Sequence, residues 1–378
     1  MKNHIIKLSE QLLQGNELKY IKKAISLNEI GPKGEFLDSF ENRISAYVGS
    51  KSCLALSSGT AAIHLALQVL GVQKGDTVLC SSFTFAASAF PIQYIGAQPV
   101  FIDCEPISWN MCPDLLLKAI KKEILLRKKP KAIIVVHSYG MPAQMNKILE
   151  IANRYKIPVL EDSAAALGSS YRGEMCGSMG SIGVFSFNAN KIITTGGGGA
   201  LISNNNEYFK KATFLATNAK DKAPYYQHSE IGYNCGMSNL VAGIGLGQLE
   251  VLERYITLRR EMNAFYKEIF LNVEGITVFK EPNSDYYSNH WLTCITIDKS
   301  KTNITADQIR LALEEEGIES RPLWKPMHLQ PVFKSASYYG GKVSEDLFKS
   351  GLCLPSGSNI QQEGRNRIEA VLKRLFGV

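Results

Sequence analysis

The chain has 378 residues, of which 45% are hydrophobic and 20% charged, with a formal net charge of +7. That balance excludes disorder, fibrous repeats and a membrane-spanning protein, and the length suits about two domains around a large core. The densest basic cluster, Lys121 to Lys131, punctuates Ile124, Leu125 and Leu126. It reads as a solvated helix end before Pro130, so nucleic-acid binding is not expected, while a mildly basic surface favours an anionic substrate. The eight cysteines are dispersed, with no CxxC pair and no His/Cys metal spacing. Free thiols in a reducing compartment and no metal site are therefore expected. The polar N-terminus lacks the apolar run of a signal peptide, which predicts a cytoplasmic location without a membrane partner.

Taken in order, residues 8 to 48 read as two amphipathic helices around the turn-rich Asn28 to Gly34, the second carrying Phe36, Phe40, Ile44 and Tyr47 at helical spacing. From residue 53 the pattern changes to short apolar runs alternating with helical segments. Cys53 to Leu56, Thr77 to Cys80, Pro99 to Ile102, Ala132 to Val136 and Pro158 to Leu160 are predicted strands. Helices are predicted near Ala61 to Leu70, Ala86 to Ile95, Asp114 to Lys122 and Met145 to Tyr155. Fully apolar strands separated by crossover helices mean a largely parallel sheet in a three-layer α/β domain, with its ligand at the carboxyl ends of the strands.

Those ends carry the candidate chemistry. After the first strand comes Ser57-Ser58-Gly59-Thr60-Ala61-Ala62, small residues that open a helix and can converge N–H groups and hydroxyls on an anion; the same residues also suit a plain N-cap. After the second comes Ser81-Ser82-Phe83-Thr84-Phe85, whose aromatics can stack on a planar ring or pack in the core. After Pro158 to Leu160 come Glu161 and Asp162, costly to bury unpaired, so one of them is expected to meet a cation or a protonated nitrogen. A hairpin at Tyr171-Arg172-Gly173-Glu174 leads to a further strand, Val184 to Phe187. That strand delivers Lys191 ahead of the four glycines Gly196 to Gly199. A lysine desolvated there has a lowered pKa and can attack a carbonyl as the neutral amine, although a solvated lysine in a glycine turn fits the same stretch.

Beyond the glycines the reading gives a strand at Ala200 to Ser203, a helix at Glu207 to Ala216 and a long irregular stretch, Thr217 to Ser238, of the kind that carries function or an interface. One long helix is predicted from Ala242 to Phe270. The remainder, with a strand at Trp291 to Ile297 and helices at Thr305 to Glu316 and Arg365 to Leu375, reads as a smaller α+β domain. The division is placed at about residue 250, giving residues 1–250 and 251–378.

A phosphate cradle, a stacking aromatic, a buried acid and a lysine at the strand ends of one parallel sheet match the needs of pyridoxal 5'-phosphate. Its phosphate would take the helix start at Ser58, Gly59 and Thr60, and its ring Phe85. Its pyridine nitrogen would take Asp162, and its aldehyde Lys191 as a Schiff base. The chain resembles the DegT-type nucleotide-sugar aminotransferases over nearly its whole length. The segments that carry the resemblance include SSGTAAIHLAL at 57 to 67, EDSAAALGSSYRG at 161 to 173 and FSFNANKIITT at 185 to 195, together with YYQHSEIGYN at 225 to 234 and GIESRPLWKPMHLQPVF at 317 to 333. The last three look most like the subgroup that aminates UDP-4-keto-6-deoxy-N-acetylglucosamine on the route to bacillosamine.

The resemblance implies the fold-type-I, aspartate-aminotransferase-like architecture and catalysis by Lys191. It implies phosphate binding by Gly59, Thr60 and Ser186, and an Asn234 that reaches the phosphate of a partner subunit in a homodimer with shared active sites. It implies L-glutamate as amino donor and a UDP- or dTDP-linked keto sugar as acceptor. Arg321, Lys325 and His328 would border the sugar-nucleotide pocket, where their charge suits a diphosphate. The chain departs from the family pattern at Ala165, at Cys235 and Gly236, and at Glu29. Two alternatives use the same pocket: a sugar dehydratase, in which histidine typically replaces the lysine, and a catalytically silent regulatory protein that keeps the cofactor.

Overall fold

The short apolar runs beyond residue 50 assemble into one eight-stranded sheet. The computed structural model describes residues 5–377, so the first four residues of the polar N-terminus lie outside the described residues. In spatial order the strands are Ser52–Leu56, Gly199–Ser203, Ile182–Ser186, Val159–Asp162, Ala132–Val136, Thr77–Ser81, Gln98–Ile102 and Ser337–Tyr339. All point the same way except Gly199–Ser203, which runs antiparallel to both neighbours. The central strands are buried along their whole length, and alternate residues feed opposite faces: Cys80 and Ile134 pack under the Gly59–Val69 helix, Leu79, Ile133 and Val135 under Pro113–Leu125 and Met145–Tyr155. Continuous apolar runs rather than alternating ones are what such two-sided burial requires.

The predicted helix over Ala86 to Ile95 is interrupted. A single 3-10 turn, Ala86–Ser88, precedes Phe90–Tyr94, with Pro91 in its first turn, where a missing N–H costs nothing. The hairpin is present: Ser170–Tyr171 pairs with Glu174–Met175, and Arg172 and Gly173 turn with positive φ of 53° and 83°.

The helix predicted from Ala242 to Phe270 is two helices, Asn239–Leu249 and Leu252–Ile269. They share a core at first, since Leu252, Tyr255 and Ile256 of the second still pack with Ala242 and Leu246 of the first, while Met262 and Tyr266 reach the C-terminal core. The first packs closely against Glu17–Ser26 and Glu35–Val48, where a side chain at Gly247 would fall 2.4 Å from the Glu17 nitrogen; the second, from Met262 on, packs in the C-terminal core with Ile309, Ile368 and Leu372. That C-terminal core lies on a four-stranded antiparallel sheet, Ile276–Val278, Thr293–Ile297, Gly351–Leu354 and Arg321–Pro322. The chain crosses between the two units twice more. Ile6 bridges Ile318, tying the N-terminal segment to the small unit, while Ser337–Tyr339 joins the edge of the large sheet. Among the described residues no helix is long and apolar enough to cross a membrane.

Candidate active site

A cavity of about 730 Å³ lies where the parallel strands end, roofed by the small unit. At its floor Ser58 Oγ accepts from the Ala61 nitrogen at 3.0 Å, capping the Gly59–Val69 helix. The N–H groups of Gly59 and Thr60, in the first turn, have no partner within the helix, and both residues line the cavity. Space here is kept by the absence of side chains. A Cβ on Gly59 would stand 3.0 Å from that of Ser186, and one on Gly199 would stand 2.4 Å from the Gly59 nitrogen. A helix start stripped to glycine, flanked by Thr60 and Ser186, fits a phosphate.

The two adjacent acids part company. Glu161 points under the hairpin, where it pairs with His137 Nε2 at 2.9 Å and accepts the Gly177 and Gly180 N–H groups. His137 Nδ1 in turn accepts from the Ala143 nitrogen at 3.0 Å, which places the ring proton on Nε2, toward Glu161. Glu161 is thereby consumed in the fold. Asp162, only 4% exposed, lines the cavity, accepting from Ser88 Oγ at 2.6 Å and the Ala164 nitrogen at 3.1 Å. No cation among the described residues pairs with it, so a buried carboxylate is directed at the cavity without a counter-ion. A protonated pyridine nitrogen meets that need.

Lys191 lies in the bend after a turn closed by its own N–H on Asn188 O at 3.0 Å, not on the strand itself. Its Nζ stands 4.5 Å from the Trp291 ring centroid and makes no ion pair among the described residues. Burial lowers its pKa to about 8, opposed by the charge of Asp162. The lysine is therefore poised as an amine rather than solvated in a glycine turn. Of the two aromatics after the second strand, Phe83 is buried in the core, whereas Phe85 is 62% exposed and borders the cavity. An exposed ring at that place is free to take a planar partner.

The remaining predicted residues are spread. Arg321 and Lys325 line the cavity, but Arg321 is held by Glu319, at 3.1 Å from Nε and 2.8 Å from Nη2. Lys325 is exposed and forms no ion pair among the described residues. His328 lies outside the cavity. Its Nδ1 meets Ser82 Oγ at 2.7 Å and its ring stacks on Tyr338 at 3.7 Å, which ties the small unit to the sheet edge. Asn234 also lies outside, exposed, in a bridge to Thr217. Of the departures from the family pattern, Ala165 lines the cavity, Cys235 accepts from the Ser57 nitrogen, and a side chain at Gly236 would meet open space. Sequence reasoning missed Ser88, Glu319, Trp291 and Trp324. Each reaches the cavity through tertiary contacts, and Trp291 is a hundred residues from the lysine it covers, with no local pattern to reveal it.

Comparison with known proteins gives the family. The model of the DegT/DnrJ/EryC1/StrS aminotransferase family matches residues 11–373. The Bacillus subtilis protein EpsN, named as a pyridoxal phosphate-dependent aminotransferase, is 46% identical over 375 residues, covering 98% of this chain and 96% of its own. A GDP-perosamine synthase of Caulobacter vibrioides is 34% identical over 373 residues, 98% of each chain. The crystal structure of a DegT DnrJ EryC1 StrS aminotransferase from Brucella abortus matches with a TM-score of 0.89 at 29% identity over 96% of each chain. With its sheet, its glycine-lined helix start, its free buried aspartate and its desolvated lysine, the chain belongs to the DegT/DnrJ/EryC1/StrS family and is a pyridoxal phosphate-dependent sugar aminotransferase of fold type I.

Proposed function

We propose that the protein passes the amino group of L-glutamate to a 4-keto-6-deoxy nucleotide sugar, UDP-4-keto-6-deoxy-N-acetylglucosamine, in the cytoplasm, for amino sugars of the bacillosamine type used in surface glycans. One observation carries this reading. The cavity that holds Lys191 and Asp162 continues to Lys325 and Arg321, cations that amino transfer itself does not require. The diphosphate of a nucleotide sugar supplies anions for them. The segments around Lys191, Asn234 and Arg321 support the choice of sugar, since they carry the subgroup resemblance.

When bound, pyridoxal phosphate supplies an aldehyde that carries the amino group and a ring that accepts electrons from the substrate carbon. The residues of the chain do the rest. Gly59 and Thr60 N–H groups and the Ser186 hydroxyl would hold the phosphate, with Ser58 fixing the helix start by its cap. Phe85, exposed at the cavity, would pack against the ring. Asp162, oriented by Ser88 and the Ala164 N–H, keeps the ring nitrogen protonated. Lys191 gives and takes a proton at Nζ, and desolvation holds its pKa below the ordinary lysine value, which favours the neutral amine. Trp291 and Trp324 wall the cavity against water.

The reading includes a homodimer with shared sites. The loop around Asn234 exposes Tyr225 (65%), Tyr226 (84%) and Ile231 (87%), a surface that a second copy would cover, bringing Asn234 to that copy's phosphate. Sedimentation is expected to give a dimer, and an active monomer would remove this part. For the substrate, the protein is incubated with glutamate and a panel of UDP- and dTDP-linked 4-keto and 3-keto sugars. The UDP-linked 4-keto sugar should gain an amine by mass; amination of a 3-keto or dTDP-linked sugar in its place would overturn the assignment.

A further inference from the structure

One buried charge beside the site has no role in the chemistry above. Arg259, on the Leu252–Ile269 helix, is 1% exposed and has no carboxylate partner among the described residues. Desolvation lowers its pKa to about 9. A guanidinium buried without a counter-ion is costly, and Arg259 even leaves its Nε without an acceptor. Its two other nitrogens are committed: Nη1 donates to the Trp291 carbonyl at 2.5 Å and Nη2 to Ser9 Oγ at 3.0 Å.

Both of those residues act on one further atom. Ser9 Oγ donates to the Asn190 carbonyl at 2.7 Å, and Trp291 Nε1 donates to the same oxygen at 2.7 Å. The carbonyl that precedes Lys191 thus has both acceptor positions filled from distant parts of the chain, by the N-terminal segment and by the segment leading into the small sheet. The Trp291 ring then supports the lysine amine from below. The 288–291 segment is itself keyed to the loop after Asp162, because Asn289 Nδ2 donates to the Ala165 and Leu167 carbonyls and Asn289 Oδ1 accepts from the Trp291 nitrogen.

We propose that Arg259 is the positioning residue for Lys191, holding Trp291 and Ser9 in the orientation in which both donate to the Asn190 carbonyl and fix the amine in the cavity. A proton shuttle must be held in place to act repeatedly at one carbon, and a turn in a glycine-rich loop cannot hold it unaided. The guanidinium, with two donors in a rigid fork, sets two partners at once, as a lysine could not. This role rests on the reading of Lys191 as the amine that does the chemistry.

The experiment is the pH profile of amine labelling at Lys191, followed by mass spectrometry of protein reconstituted with pyridoxamine phosphate, a form that leaves the lysine free. The wild-type midpoint is expected below the ordinary 10.5 of a solvated lysine, because the amine is desolvated. Arg259→Gln, and separately Trp291→Phe, which keeps a ring but removes the N–H donor, should each let the amine rehydrate and raise the midpoint by about one pH unit. Ser9→Ala should raise it less, Arg259→Lys should restore part of the shift, and the Arg259→Gln/Trp291→Phe pair should exceed neither single variant by much, since both act through one carbonyl. An unmoved midpoint in a folded Arg259→Gln protein, or a double shift equal to the sum of the two, overturns the proposal. Should Arg259→Gln not fold, unmoved midpoints in both Ser9→Ala and Trp291→Phe overturn it equally. Labelling reads the amine whether or not the enzyme turns over, so an active Lys191→Ala variant would remove the functional reading while leaving this test intact.

Discussion

The two walls of the cavity were built by different means. On the large-domain side, Gly59, Thr60, Asp162 and Lys191 all follow strand ends of one sheet, and all four reach the cavity. On the small-domain side, Arg321, Lys325 and His328 lie within eight residues of one another yet separate: one is paired, one is free, one is turned into the interface between the units. Parallel strands point their carboxyl ends at a common crevice, so residues at those ends converge whatever their distance along the chain. An irregular segment carries no such rule, and neighbours in it are sorted by whichever partner lies opposite.

The sharpest test of the first wall is Lys191→Ala. We expect transamination to be abolished with the fold intact, and near-normal turnover would end the lysine assignment. In the parent protein, burial of that amine predicts a pH dependence with a definite sign. The folded-state pKa lies below the ordinary 10.5, so the reactive neutral form gains as pH rises, and cofactor uptake by the cofactor-free protein should reach half its maximal rate near pH 8. A half-maximum above pH 10 would mean that the amine is solvated.

Next in size is Asp162→Asn, which removes the charge that keeps the ring nitrogen protonated while leaving the Ser88 and Ala164 hydrogen bonds able to form. Activity should fall by orders of magnitude and cofactor should bind more weakly. Unchanged kinetics would place the partner of the ring elsewhere.

The second wall is expected to give smaller and unequal effects. Lys325→Ala should raise the KM for the nucleotide sugar by roughly tenfold, about 1.4 kcal/mol, because its ammonium has no competing ion pair among the described residues. Arg321→Ala should raise it less, since Glu319 already occupies the guanidinium and a diphosphate must displace that carboxylate. Steady-state kinetics on the two variants checks the order, and equal effects would show that the ion pair opens when substrate binds. His328→Ala should leave that KM unchanged and destabilise the fold by about 1–2 kcal/mol through the lost Ser82 hydrogen bond and Tyr338 stack. Thermal unfolding reads this directly, and a raised KM at unchanged stability would return His328 to the pocket.

What the sequence by itself determined were features with a local physical cause. Apolar runs with crossover helices require a parallel sheet, and the small residues after Leu56 require a helix start, whether for an anion or as a plain N-cap. A lysine before four glycines requires a loop, not a core position. Tertiary structure showed what becomes of the other acid beside Asp162: neighbouring strand residues face opposite ways, and packing turns Glu161 to His137 and leaves Asp162 in the cavity. It also broke the 242–270 helix at Glu250 and Val251, and it divided the second half between two cores, Leu252, Tyr255 and Ile256 in one and Met262 and Tyr266 in the other. It placed Trp291 over Lys191 and Arg259 behind Trp291, contacts that close loops of 100 and 32 residues and leave no periodicity in the chain. Such long-range contacts form only when domains meet, which is why the chemistry of the site was legible residue by residue and its support was not.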